Sequence, residues 1–180
     1  MAALDSFFRR DVRGLYAINK AIVSLLPKVD GAIDVKDFRP VSLVHGVIKI
    51  IDKLLAVRLA LELPGLVGKH QSAFVRGRSI HDNFMLVQST TRRLHALKQP
   101  AIMLKLDITK AFDTVKWPFM LVVLERFGFG SRWHAWMCGL LATSSTRVMI
   151  NGAPGKPILP CQGLRQGAPL SPMLFILCME

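Results

Sequence analysis

The stretch Ala101-Ile102-Met103-Leu104-Lys105-Leu106-Asp107 decides the fold of this chain, and it continues as Ile108-Thr109-Lys110-Ala111-Phe112-Asp113. The run before Asp107 is apolar apart from Lys105, a pattern that predicts a central β-strand buried on both faces. Asp107 would then stand at a rigid strand end, where a carboxylate can be held against Mg²⁺, and the carbonyl of Ile108 would add a second oxygen. The common alternative is an aspartate that caps the turn after a strand, and the local pattern alone favours that alternative.

The rest of the chain mixes strand and helix patterns in irregular order, which predicts an α+β fold. The predicted strands cover residues 17–26, 38–44, 146–150 and 158–161, and the predicted helices cover 48–62, 80–97, segments beginning at 117 and 131, and 169–179. Pro40 would confine its strand to a sheet edge or a strand start. The first long helix would end before Pro64, and Ser131 would cap its own helix. Residues 1–14 are mixed and charged, and we expect this segment to be loosely held.

The composition favours a polyanionic partner. The 180 residues are 51% hydrophobic, enough for one sizeable core, and they carry a net charge of +12. Residues 39–110 hold twelve lysines and arginines against four acids, or +8, so we expect a basic face. Many basic domains bind no nucleic acid, and charge alone leaves that choice open. No apolar run is long enough to span a bilayer, so we expect no membrane partner.

Two segments together resemble a known enzyme family. LKLDITKAFDTVKW at 104–117 and GLRQGAPLSPMLF at 163–175 are similar to two palm motifs of the reverse transcriptase of non-LTR, LINE-type retrotransposons. The phrase INGAPGKPILPCQGLRQG at 150–167 is typical of the plant elements of this type. Motifs in the family's order and at the family's spacing cover roughly residues 15–180, which is far more specific than any one of them.

The resemblance assigns a nucleotide site to the two palm motifs. The family's first motif implies that Asp107, with the carbonyl of Ile108, is a ligand of a two-ion Mg²⁺ site. It also implies that the ring of Phe112 lies under the sugar and excludes a 2′-hydroxyl, although ordinary core packing is the alternative. In the second motif, Gln166 and Gly167 would approach the incoming nucleotide and the templating base. The chain departs from the family at the next position, where Ala168 replaces the usual Asp.

Two upstream segments are similar to the finger motifs of the same family. LLPKVDGAIDVKDFRPVSL at 25–43 suggests that Arg39 meets the triphosphate, because a planar guanidinium pairs phosphate oxygens bidentately. HQSAFVRGRSIHDN at 70–83 suggests that Arg76 and Arg78 contact the phosphates of template and primer. A surface ion pair for the first arginine and a solvated basic loop for the other two are the alternatives.

The resemblance implies an RNA-directed DNA polymerase domain with fingers over residues 15–100 and part of the palm over 101–180. Its partners would be an RNA template, a DNA primer and deoxynucleoside triphosphates, inside the cell in a nuclear or cytoplasmic ribonucleoprotein. The sequence contains no aromatic-Ala-Asp-Asp motif, which supplies the family's other metal carboxylates. We therefore expect a partial right-hand polymerase that lacks this hairpin and the thumb, and that is inactive alone.

The absent hairpin has a consequence for folding. It should pair beside the Asp107 strand, so we expect an exposed sheet edge there. We also expect Leu174, Phe175 and Leu177 to be partly uncovered, and the protein to be marginally stable or to aggregate.

Three other functions stay open at this point. The chain is alternatively a non-catalytic basic module that binds RNA or an RNA–DNA duplex, or an inert pseudogene product. A group II intron-type reverse transcriptase is a more distant alternative, because FRPVSL and RQGAPLSP are typical of LINE-type elements.

Overall fold

A computed structural model describes residues 2–180, which form helices around one small sheet, so the predicted α+β class is confirmed. The helices are α1 (Ala2–Phe8), α2 (Leu15–Ile18), α3 (Gly46–Leu66), α4 (Ile80–Ala96), α5 (Ala111–Thr114), α6 (Trp117–Arg126), α7 (Ser131–Ala142) and α8 (Ser171–Met179). The strands are β1 (Lys20–Pro27), β2 (Phe38–Val44), β3 (Ser145–Ile150) and β4 (Ala153–Pro154). Within residues 2–180, no helix is both long and apolar enough to cross a membrane.

The four strands form a sheet in the order β2-β1-β3-β4. β1 pairs antiparallel with β2, from Ala21 opposite Val44 to Pro27 opposite Phe38, and parallel with β3. The predicted strand over 38–44 is confirmed. Pro40 lies on an edge strand, as predicted, where a residue without an N–H breaks no hydrogen bond between inner strands.

The hairpin after β3 is confirmed, but its returning strand lies earlier than predicted. Asn151 and Gly152 have φ values of +49° and +79°, the pair of left-handed residues that a tight two-residue turn needs. The chain therefore pairs at once through β4, which is antiparallel to β3. Within the predicted strand 158–161, Ile158 forms a single antiparallel bridge to Thr146.

The core lies between α3, α6 and α8. The predicted apolar stripe of α3 is confirmed, because Ile48, Ile51, Leu55 and Leu59 are all buried. α8 packs against α3 and α6. The expectation that Leu174 and Leu177 are uncovered is wrong, since they are 4% and 1% exposed. Phe175 is half-buried. The helices of the described chain already cover this side of α8.

Three local predictions need correction. α3 does not end before Pro64 but runs to Leu66. The proline removes one helical hydrogen bond, because it has no N–H. The carbonyl of Pro64 accepts a hydrogen bond from Arg78 Nη2 at 3.0 Å. Ser131 is the first residue of α7, and the cap position belongs to Gly130. The segment expected to be loosely held contains α1, whose Phe7 is 0% exposed and packs in the core.

The predicted central strand over 101–107 is wrong. The structure gives residues 101–108 no regular secondary structure, and Ile102 and Leu106 are 98% and 80% exposed. A strand needs neighbours that satisfy its N–H and C=O groups and cover its side chains. Among residues 2–180 no strand lies beside this segment, because β1 to β4 pair with one another. The adjacent α4 matches its predicted bounds within one residue, yet none of its residues is buried.

Candidate functional site

Backbone hydrogen bonds hold the two palm-like segments against each other. The amide of Leu164 donates to the carbonyl of Phe112 at 2.8 Å, and the amide of Gly163 donates to the carbonyl of Val115 at 2.8 Å. The indole Nε1 of Trp117 donates to the carbonyl of Gly163, also at 2.8 Å. The turn that follows Asp107 in sequence therefore packs directly on the segment that leads into Gln166.

Gly163 is required for this contact. It has a φ of +85°, and a Cβ built on it would lie 2.9 Å from the carbonyl oxygen of Asp113. Both the left-handed conformation and the lack of space exclude a side chain. A glycine three residues before Gln166 is therefore part of the geometry that joins the two segments.

A cavity of about 310 Å³ opens where these segments meet β2 and α3. Its polar lining includes Ser42, Asp52, Asp113 and Gln166, and its apolar wall comes from α6, α7 and α8. The volume is at the lower end of the range for small-molecule sites, which combine an apolar wall with a few placed polar groups. Gln166 is the one predicted site residue among those that line the cavity.

Arg165 points into the protein interior and is held there by Asn19. Its Nη1 donates to Asn19 Oδ1 at 2.6 Å, and its Nη2 donates to the Asn19 carbonyl at 3.1 Å. The side-chain Nδ2 of Asn19 donates in turn to the Leu140 carbonyl at 2.7 Å and to Thr143 Oγ1 at 2.8 Å. A buried polar cluster therefore joins the start of β1, the end of α7 and the residue before Gln166.

Asp52 adds a half-buried carboxyl group to the cavity lining. Burial raises the pKa of Asp52 from 3.8 to about 6, and the opposing attraction of the Arg165 guanidinium only partly offsets this effect. Burial also lowers the pKa of Arg165, against the attraction of Asp52. An arginine stays charged at any ordinary pH, so Asp52 is the member of this pair that titrates.

Phe112 is packed beside the cavity and not inside it. Its ring stacks on Phe175 with centroids 4.8 Å apart and planes at 25°, and the residue is half-buried. This packing is the core role that the sequence left open as the alternative to a sugar gate.

Asp107 and Ile108 lie in the exposed segment 101–108, and neither is among the residues that line the cavity. Across residues 2–180, no group of three or more acids, histidines or cysteines is arranged to hold a metal ion. Two clustered dications need several carboxylates to neutralise and position them. The acids of the described residues are therefore not arranged to form a two-ion centre.

The three arginines predicted to meet phosphates differ in their surroundings. Arg39, on the edge strand β2, and Arg76 are exposed. Arg78 donates to the carbonyls of Gly68, Gln71, Pro64 and Val67, so its guanidinium closes the end of α3 and the loop after it. Gly167 has a φ of +84° and is exposed next to Gln166.

Sequence reasoning missed Asn19, Asp52 and Arg165. Two of them had a detectable signal. Asn19 is the polar residue inside an otherwise apolar stretch before β1, and Asp52 falls at helical spacing between Ile48 and Leu55 on the buried face of α3. A lone polar group on an apolar face predicts a buried hydrogen-bonded or charged partner.

Similarity to known proteins defines the family of this chain. A family model described as reverse transcriptase (RNA-dependent DNA polymerase) matches residues 26–180, and the chain belongs to this family. The Transposon TX1 uncharacterized 149 kDa protein of Xenopus laevis is 33% identical over 161 residues, which cover 89% of this chain. The Pol polyprotein of the type-1 retrotransposable element R2 of Nasonia vitripennis is 30% identical over 156 residues, or 87% of the chain.

A third relative carries the activity in its name. The probable RNA-directed DNA polymerase from transposon X-element of Drosophila melanogaster is 26% identical over 142 residues, or 78% of this chain. The chain spans only 12%, 15% and 16% of the lengths of these three relatives. The resemblance to non-LTR retrotransposon reverse transcriptases is thus confirmed.

Proposed function

We propose that residues 15–100 are the fingers and residues 101–180 part of the palm of an RNA-directed DNA polymerase domain, and that the cavity takes the base and sugar of an incoming nucleotide. The observation that carries this proposal is the backbone pairing of the two palm-like segments, with Gln166 at the cavity between them. An apolar wall facing a few polar groups suits a planar base with polar edges.

Each predicted residue keeps its role within this proposal. Arg39 meets the triphosphate, the ring of Phe112 limits the sugar, and Gln166 with Gly167 approaches the nucleotide. Arg76 and Arg78 lie along the template and primer, and the carbonyl bonds of Arg78 favour a supporting role for it. Asp107, with the carbonyl of Ile108, is the Mg²⁺ ligand that this chain would contribute.

Among residues 2–180 no three or more acids, histidines or cysteines are grouped to hold a metal ion, and this leads to a proposal about activity. The 180-residue protein binds an RNA–DNA template–primer but does not extend it. Purified protein should give no product in a primer-extension assay on an RNA template with Mg²⁺ or Mn²⁺. Clear extension by the protein alone would overturn this proposal, because it would require a metal site that Asp107 cannot form by itself.

Binding is tested by the affinity for an RNA–DNA duplex over a range of salt concentrations. The affinity should fall as salt rises, because bound lysines and arginines release counterions from the phosphates. Arg76→Gln should weaken binding to all sequences alike and reduce the logarithmic salt slope by about 1. Arg13→Gln is the matched control, since Arg13 already pairs with Asp11 at 2.8 Å. Binding without salt dependence, or an equal effect of both variants, would count against the interface.

A non-catalytic basic module is the second candidate, and the net charge of +12 supports it as well. The two functions differ in what happens when a polypeptide with an aromatic-Ala-Asp-Asp hairpin is supplied in trans. Synthesis that appears on this addition, and that is lost in Asp107→Asn, supports the polymerase domain. Salt-dependent binding that never leads to synthesis supports the basic module.

A further inference from the structure

Asn19 is a buried polar residue with every hydrogen-bonding group engaged. It is 1% exposed and lies between α2 and β1. Its backbone N–H donates to the Leu15 carbonyl at 2.7 Å, and its own carbonyl accepts from the Ser145 amide at 3.1 Å in addition to Arg165. Its side chain accepts from Arg165 on one side and donates twice to the end of α7 on the other.

Resting on the function proposed above, we propose that Asn19 is a positioning residue for the Gln166–Gly167 loop and acts through Arg165. The guanidinium of Arg165 donates two hydrogen bonds to Asn19, to its Oδ1 at 2.6 Å and to its backbone carbonyl at 3.1 Å. It is thus directed into the protein, and the neighbouring Gln166 is left at the cavity. The bond across the loop itself, from the Ala168 amide to the Arg165 carbonyl, is long at 3.3 Å.

The chemistry at position 19 requires an asparagine. Its carbonyl oxygen accepts from a cation, while its amino group donates to the Leu140 carbonyl and to Thr143 Oγ1. An aspartate would keep the acceptor for Arg165 but lose both donors to α7, whereas an alanine would lose all three bonds. Both substitutions therefore remove the side-chain hydrogen bonds to α7, but only the alanine also removes the side-chain hydrogen bond to Arg165.

Asn19 also ties the loop to the N-terminal half of the molecule. It precedes β1, which pairs with β2, and Ser42 of β2 lines the same cavity as Gln166. A displacement of the β1–β2 pair relative to α7 would therefore reach Gln166 through Asn19 and Arg165. This arrangement makes the shape of the candidate nucleotide site depend on how the fingers sit on the palm.

The test compares Asn19→Ala with Asn19→Asp by amide hydrogen exchange on the full 180-residue protein. The reporter is the amide of Ala168, and the reference is the amide of Gly128, which donates to Glu125 in a different part of the fold. Relative to the reference, exchange at Ala168 should be about tenfold faster in Asn19→Ala, and near the wild-type rate in Asn19→Asp. Both variants should unfold at lower denaturant than the wild type, because both lose the bonds to α7.

Equal relative exchange at Ala168 in the two variants would overturn the proposal, because a purely structural role of Asn19 predicts equal effects. If Asn19→Ala does not fold, Arg165→Lys replaces it, since a lysine cannot reach both acceptors of Asn19 with one planar group. If the exchange rate of the Ala168 amide relative to the Gly128 amide is the same in Arg165→Lys as in the wild type, the proposal is also overturned.

The exchange experiment needs no nucleotide, so it is independent of the proposed function. Binding of a deoxynucleoside triphosphate is measured in parallel on the wild type, Asn19→Asp and Asn19→Ala. Weaker binding in Asn19→Ala alone supports the positioning role at the nucleotide site. No binding to any of the three, including the wild type, counts against the proposed function, and the exchange rates then still decide whether Asn19 holds the loop.

Discussion

Asp52→Asn should make the protein more stable at pH 8 and should remove part of its pH dependence. Burial holds the pKa of Asp52 at about 6 in the folded protein, against an ordinary value of 3.8. A carboxyl group with a raised folded-state pKa binds its proton more tightly when the protein is folded. The stability that this proton supplies is fully present below about pH 3.8 and is lost as the pH rises through about 6.

The difference between these two pKa values corresponds to about 3 kcal/mol, at about 1.36 kcal/mol for each pKa unit. About 1.4 kcal/mol of it falls between pH 5 and pH 8. Asparagine is uncharged throughout, so the free energy of unfolding of the wild type should drop by that amount relative to Asp52→Asn. In a chain of this length, the difference corresponds to about 3–6 °C in melting temperature.

The assay is urea unfolding of both proteins at pH 5, 6, 7 and 8, with the difference between them plotted against pH, so that all shared carboxylates cancel. Asp30→Asn, in the exposed turn after β1, is the control for the loss of one negative charge. A difference that does not change with pH would refute the raised pKa. A variant that is less stable than the wild type at pH 8 would mean that the attraction to Arg165 outweighs the cost of burial.

Three further predictions concern stability. Gly163→Ala should lower the free energy of unfolding, measured in urea, by about 1–3 kcal/mol, because a Cβ there meets a backbone carbonyl. Gly31→Ala, at φ +74° in open space, is the control and should lower it by only about 1 kcal/mol. Equal losses would refute the clash at Gly163. Arg78→Gln should lower the free energy of unfolding by about 2 kcal/mol through the lost carbonyl bonds, while Arg76→Gln stays within about 0.5 kcal/mol; equal effects would contradict this. The exposed apolar side chains of 102–106 should cause self-association in light scattering, and a monodisperse monomer with a sharp thermal transition would argue against it.

The elements that the sequence predicted well carry their own local signal. β2 has the predicted bounds because Phe38, Val41 and Leu43 are typical strand residues, and because a proline at position 40 excludes an inner strand. α3 follows from its stripe of buried apolar residues. Where Pro64 misled, its carbonyl accepts from Arg78, which lies fourteen positions away in sequence, and a rule on local sequence does not include that contact.

The candidate site was only partly predictable, for a similar reason. Gln166, which the motif marked, lines the cavity, whereas the neighbouring Arg165 bonds to Asn19, which lies 146 positions earlier in the sequence. The sequence marked Arg78 as a cation that meets phosphates and assigned no role to Arg165, and in the folded chain both bind protein oxygens. A sequence tells which groups need a partner, while only the fold decides whether that partner is a ligand or the protein.

The segment 101–107 shows the same distinction most clearly. Its apolar run predicts burial on both faces, and the structure leaves Met103 and Leu104 73% and 77% exposed. The pattern indicates that these side chains favour an apolar environment, since covering apolar surface stabilises by about 25 cal/mol for each Å². It cannot report which strand would lie beside them. The strands β1 to β4 pair with one another, so none of the described strands lies beside residues 101–108. What covers an apolar run is decided by tertiary contacts, and these do not show in the pattern of the run itself.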